Sequence, residues 1–107
     1  MPNPGLPDIL KSRRSELEKL CRNYSVKDLA IFGSAVTDRF NSSSDLDFLV
    51  TFDQALSAAA MAKAYFGLKE ELEALFSRPV DLVSTASLTN PYFRESVMEE
   101  RQPLYAA

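Results

Sequence analysis

The chain has 107 residues, 46% hydrophobic and 25% charged, with a formal net charge of −3. That length suits one domain, 1–107, with a modest core, and the slightly acidic balance gives no electrostatic footprint for nucleic acid. There is no histidine and a single cysteine, Cys21, which excludes Ser-His-Asp and Cys-His catalysis, histidine-based zinc sites and an internal disulfide.

No apolar run approaches the roughly 20 residues that span a bilayer. The start, "MPNPGLPD", has neither the charged nor the apolar region of a signal peptide. A cytoplasmic protein without a membrane partner is the expectation.

In chain order, residues 1–7 are punctuated by Pro and Gly and read as a flexible arm. Asp8 is placed to cap a helix in which Leu10, Leu17, Leu20, Cys21 and Tyr24 recur at helical spacing, with Lys11, Arg14, Glu18 and Arg22 outward. Cys21 reads as a half-buried helix residue. "VKDLAIFG" reads as a first strand ending at Gly33, and "DLDFLVTF" as a second. "ALSAAAMAKAYFGLKEELEALFS" reads as a helix with Tyr65, Leu68, Leu72, Leu75 and Phe76 on one stripe. Gly67 interrupts that helix at about 1 kcal/mol relative to Ala, or marks where a looser segment becomes firm. "VDLVS" after Pro79 reads as a third strand. "TNPYFRESVMEE" reads as a last helix, capped by Asn90 with Pro91 at its first position. "PLYAA" reads as an edge strand or a tail. The alternation of strands and helices predicts an α/β (α+β) domain, a small mixed β-sheet flanked by helices.

Asp45 and Asp47 are one residue apart on an otherwise apolar strand, so they share a face. Two carboxylates this close repel unless a cation joins them. Magnesium suits such a site, because it takes oxygen ligands, commonly one or two carboxylates plus substrate phosphates. Asp81 presents a third carboxylate among Val80, Leu82 and Val83, which read as buried and make it a costly choice unless paired or liganded. Three carboxylates from two strands can hold two divalent ions about 3.5–4 Å apart, a clamp for in-line phosphoryl displacement. Gly33 lets backbone approach a ligand closely. A helical turn beginning at Ser34 would aim N–H groups and a hydroxyl at a phosphate. If "AVTDRF" makes a helical turn and "NSSS" a turn back, Asp45 starts near the end of the first strand where Gly33 sits.

"FGSAVTDRFNSSSDLDFLV" resembles the signature of the minimal nucleotidyltransferase family, within the DNA polymerase beta-like nucleotidyltransferase superfamily. "SRPVDLVS" resembles its third-carboxylate strand and "NPYFRESVMEERQPLYAA" its carboxy-terminal segment. The resemblance implies the nucleotidyltransferase fold and transfer of a nucleoside monophosphate, AMP from ATP, to an acceptor hydroxyl with release of pyrophosphate. By position it implies that Gly33 and Ser34 hold the triphosphate. It likewise implies that Asp45, Asp47 and Asp81 bind two Mg2+ ions, with Asp81 helping to deprotonate the acceptor. Where many relatives carry an arginine directly after Gly-Ser and an Arg-Gly pair soon after, this chain has Ala35, Thr37 and Asp38. Arg39 is the nearby cation and is assigned to nucleotide binding. The chain has no room for an acceptor domain, so the acceptor belongs to a partner protein or a second subunit of a homo-oligomer. The family implies a HEPN-type protein encoded nearby, with this chain as the antitoxin of the pair. The alternatives are a non-catalytic antitoxin acting by occlusion and a nucleotide-sensing binding module.

Lys11, Arg13 and Arg14, and likewise Lys69, Glu70, Glu71 and Glu73, read as solvated helix faces. Tyr92 and Phe93 read as packing residues.

Overall fold

The computed structural model describes residues 8–33 and 45–107. In chain order they form α1 (Asp8–Ser12), α2 (Arg14–Asn23), β1 (Val26–Phe32), β2 (Leu46–Phe52), α3 (Ala58–Phe76), β3 (Val80–Ser84), a 3-10 turn (Thr85–Ser87), α4 (Pro91–Glu100) and β4 (Gln102–Ala106). Ser34, Arg39, the arm 1–7 and the expected turns in "AVTDRF" and "NSSS" lie outside the described residues.

Among the described residues the strands make one mixed sheet in the order β3-β2-β1-β4. β1 pairs antiparallel with β2 and with β4, while β2 and β3 run parallel. A parallel pair needs a long crossover, which α3 supplies. "PLYAA" thus belongs to an edge strand.

Period-two alternation gives the sheet two different faces. Leu46, Phe48, Val50 and Phe52 join Leu29, Ile31, Val80 and Leu82 on the face covered by Leu10, Leu17, Cys21, Leu68, Leu72 and Phe76. The rings of Phe48 and Phe76 stack there with centroids 6.0 Å apart. The Tyr65 hydroxyl donates to the Leu82 carbonyl at 2.5 Å, tying α3 to β3. The opposite face holds a smaller cluster, Ala30, Phe32 and Leu49 with Leu88 and with Val97 of α4. Burying aliphatic and aromatic side chains of this size contributes about 1.5–3 kcal/mol each before chain entropy is subtracted, so the larger cluster dominates stability.

Four local expectations need correction. The first helix is two: Ser12 Oγ donates to the Ile9 carbonyl at 3.2 Å, a local bond that competes with the helical ladder. The chain breaks at Arg13 (φ −108°, ψ 17°), and Asp8 is the first residue of α1 rather than its cap. The helix expected from Ala55 starts at Ala58. Asp53 holds the Ala55 N–H at 2.9 Å in a turn, and Ser57 Oγ accepts from Ala60 N–H at 3.1 Å as the cap. Gly67 does not interrupt α3, which runs through it; a Cβ there would collide with the Tyr24 ring. Cys21 is fully rather than half buried, and burial pushes its thiol up to about 12, which leaves it inert near neutrality. Asn90 caps α4 as expected, its Oδ1 accepting from Tyr92 and Phe93 N–H at 2.9 and 3.1 Å.

Candidate active site

β1 ends where β2 and β3 begin, because β2 is antiparallel to β1 and parallel to β3. Asp47 is set opposite Phe32 on one side and opposite Asp81 on the other. Asp47 and Asp81 therefore stand in register on neighbouring strands. Both lie on the face that carries Leu49 and Ala30, away from the main core. The Leu46 N–H donates to the Pro79 carbonyl at 3.1 Å, closing the two strand starts together.

Gly33 follows Phe32 with φ +74°, a left-handed conformation that L side chains rarely adopt. A Cβ at Gly33 would overlap Asp47 Oδ2. Backbone and carboxylate are thus in direct contact at the strand end, and only glycine fits.

The three aspartates differ in setting. Asp47 is half-buried, Asp45 is exposed just before β2, and Asp81 is exposed. The Asp47 carboxyl is pushed up to about 6, first by burial, then by the like charges of Asp81 and Asp45. Asp81 was expected among buried neighbours. Val80 and Leu82 are buried and Val83 is only half-buried, and strand alternation turns Asp81 to solvent. Glu73 also departs from a plain solvated face. Its carboxylate accepts from the Val80 N–H at 3.2 Å and pairs with Lys69 at 3.4 Å, and the Val80 bond is the main reason its carboxyl lies below the usual range. Glu73 thereby fixes the start of β3, one residue before Asp81.

The donor set, carboxylate oxygens facing a backbone turn, fits a hard divalent cation that completes its shell with water and phosphate. Among the described residues no group of three or more His, Cys, Asp or Glu is drawn tightly enough together to hold a metal unaided. The Asp47–Asp81 pair fits the one- or two-carboxylate pattern that leaves substrate oxygens to supply the remainder. Arg101, the residue after α4, lies at the junction between that helix and β4.

Tyr92 and Phe93, expected to pack, are 82% and 48% exposed on α4, which also exposes Met98 at 38%. No helix among the described residues is long and apolar enough to cross a membrane.

Comparison with known proteins bears on the whole domain. The family model for the nucleotidyltransferase domain matches residues 14–104. The protein adenylyltransferase MntA of Thermococcus cleftensis is 34% identical over 83 residues, 78% of this chain and 77% of that protein. A solved structure provisionally described as a minimal nucleotidyltransferase superposes with a TM-score of 0.68 at 31% identity, over 90% of this chain and 93% of the other. An MNT antitoxin in complex with the tri-AMPylated HEPN toxin of Shewanella oneidensis superposes with a TM-score of 0.63 at 21% identity, over 92% and 73% of the two chains, a likeness of fold.

Proposed function

This chain belongs to the nucleotidyltransferase domain family, and on that premise we propose that it transfers AMP from ATP to a hydroxyl group of a protein partner. The observation that carries the reading is Asp47, held between the Gly33 backbone and the Asp81 carboxylate. Gly33 lets the triphosphate approach the main chain, and Ser34, next in sequence, and Arg39 are assigned to the same nucleotide. Asp45, Asp47 and Asp81 would hold magnesium, which neutralises charge on the phosphates and orients them. The acceptor oxygen forms a bond to the α-phosphorus, and the bond to the departing pyrophosphate breaks. The hydroxyl proton passes to the Asp81 carboxylate and from there to water; its exposure leaves it open to an incoming acceptor.

A HEPN-type toxin is the proposed partner, which makes this chain the antitoxin, acting in the cytoplasm. The adenylyltransferase relative and the fold shared with an MNT antitoxin support this. The test is incubation of the pure chain with labelled ATP, magnesium and the HEPN-type protein encoded beside it. Label should appear on the partner. Labelling at an unchanged rate with Asp47→Asn would remove the aspartates from the mechanism.

The exposed Tyr92, Phe93 and Met98 on α4 favour a second reading, neutralisation by occlusion. That reading requires one-to-one neutralisation that survives Asp47→Asn, and turnover by substoichiometric antitoxin excludes it.

A further inference from the structure

Resting on the nucleotidyl-transfer reading, we propose that Arg101 is a polyphosphate-binding residue of this site, reaching the nucleotide from the far side of Phe32.

The placement follows from register. Arg101 ends α4, where its N–H donates to the Val97 carbonyl at 2.9 Å. Its own backbone is already extended (φ −61°, ψ 145°), so the alternation of β4 runs back into it. Pro103 is opposite Ala30 and Gln102 opposite Ile31. The ladder ends there, and the same register carried one residue further would set Arg101 beside Phe32. Ala30 and Phe32 belong to the cluster with Leu49 and Val97, so Arg101 and Pro103 fall on that same face. Phe32 in turn is opposite Asp47, which is opposite Asp81. A single row thus crosses the sheet as Asp81, Asp47, Phe32 and Arg101. Arg101 and Asp47 are two strand spacings apart, about 10 Å between backbones, a gap that a bound polyphosphate can span.

The chemistry points the same way. Arg101 Nε is buried without a hydrogen-bond partner among the described residues, although buried polar groups are ordinarily satisfied. The planar fork of guanidinium donors matches phosphate oxygens. The site otherwise gathers negative charge, three carboxylates plus a triphosphate. The connection from Ser34 to Ser44 contributes one cation by sequence, Arg39, with Asp38 beside it. Arg101 supplies a second cation from a different part of the chain.

The test is calorimetric binding of MgATP and of magnesium tripolyphosphate to the wild-type chain, Arg101→Lys and Arg101→Met. The expected result is MgATP binding at least tenfold weaker in Arg101→Met, equivalent to about 1.4 kcal/mol. Tripolyphosphate should lose the same factor, and Arg101→Lys should recover part of both. Equal affinities in folded wild type and Arg101→Met overturn the assignment of Arg101 and leave the transfer reading standing. Wild-type protein that binds no MgATP overturns both. A second measurement needs no variant: MgATP should protect Arg101 of the wild-type chain from a dicarbonyl reagent, read by mass spectrometry. Unchanged labelling of Arg101 at saturating MgATP also overturns the proposal.

Discussion

Gly33 and Asp47 occupy adjoining space so closely that a methyl group on the first would overlap the carboxylate of the second. The turn that would receive a triphosphate and the carboxylate that would hold its metal are therefore one mechanical unit. Moving either displaces the other.

Gly33→Ala should accordingly damage both stability and activity. The backbone at φ +74° strains any L residue by about 1–3 kcal/mol, and the overlap adds displacement of Asp47. We expect a lower melting temperature and at least a hundredfold loss of transfer. A variant with wild-type melting and wild-type rate would contradict the contact.

Asp47→Asn should abolish transfer while stabilising the metal-free protein at neutral pH. The folded carboxyl is raised to about 6 from an ordinary 3.8, so between these values the folded state binds more protons than the unfolded state. Stability from this group is therefore highest below about pH 4, falls as pH rises through 6, and then levels off. After discounting for partial solvent screening the effect is about 1–2 kcal/mol. Denaturation of wild type and Asp47→Asn at pH 4 to 8 without metal should give a difference that grows through pH 6. A pH-independent difference would be inconsistent with the raised carboxyl.

Glu73→Ala should loosen the start of β3 rather than the whole fold. Val80 N–H loses its acceptor, so its amide should exchange at least tenfold faster, while Phe48 and Val50 amides keep their protection. The Glu73 carboxyl lies below its usual range, so its support is present above the unfolded pKa and is lost as pH falls through the folded one. Faster exchange of Val80 on acidification, after correction for intrinsic rates, is the matching pH signature. Unaltered Val80 exchange in the variant would remove Glu73 from this role.

Gly67→Ala should destabilise the protein, against the roughly 1 kcal/mol gain that helix propensity would give. The added Cβ meets the Tyr24 ring, and overpacking of this kind costs about 1–3 kcal/mol. In a Tyr24→Ala background the same substitution should turn neutral or stabilising. Independent, additive effects in the double variant would rule out the contact.

These particulars show which features the sequence revealed and which it concealed. "VDLVS" and "DLDFLVTF" were legible because short apolar runs bounded by turn residues leave few alternatives. Asn90-Pro91 announced α4 through local capping chemistry. The α1–α2 break and the late start of α3 were hidden because Ser12, Asp53 and Ser57 act through single side-chain bonds that periodicity does not register. At the site, the place of Asp47 on the face away from the main core followed from alternation. The exposure of Asp81, the service of Glu73 to Val80 and the pairing of Gln102 with Ile31 that brings Arg101 to the end of β1 depend on how distant segments meet. No local pattern encodes those meetings.

The sheet order has a consequence for synthesis. One edge of β1 is covered only by β4, so throughout translation of everything between Phe32 and Gln102 the nascent strand offers an open row of hydrogen-bonding groups. Such edges recruit foreign strands. Lys27 and Asp28, the exposed charged pair near the start of β1, stand where they would deter that pairing until the proper neighbour emerges from the ribosome.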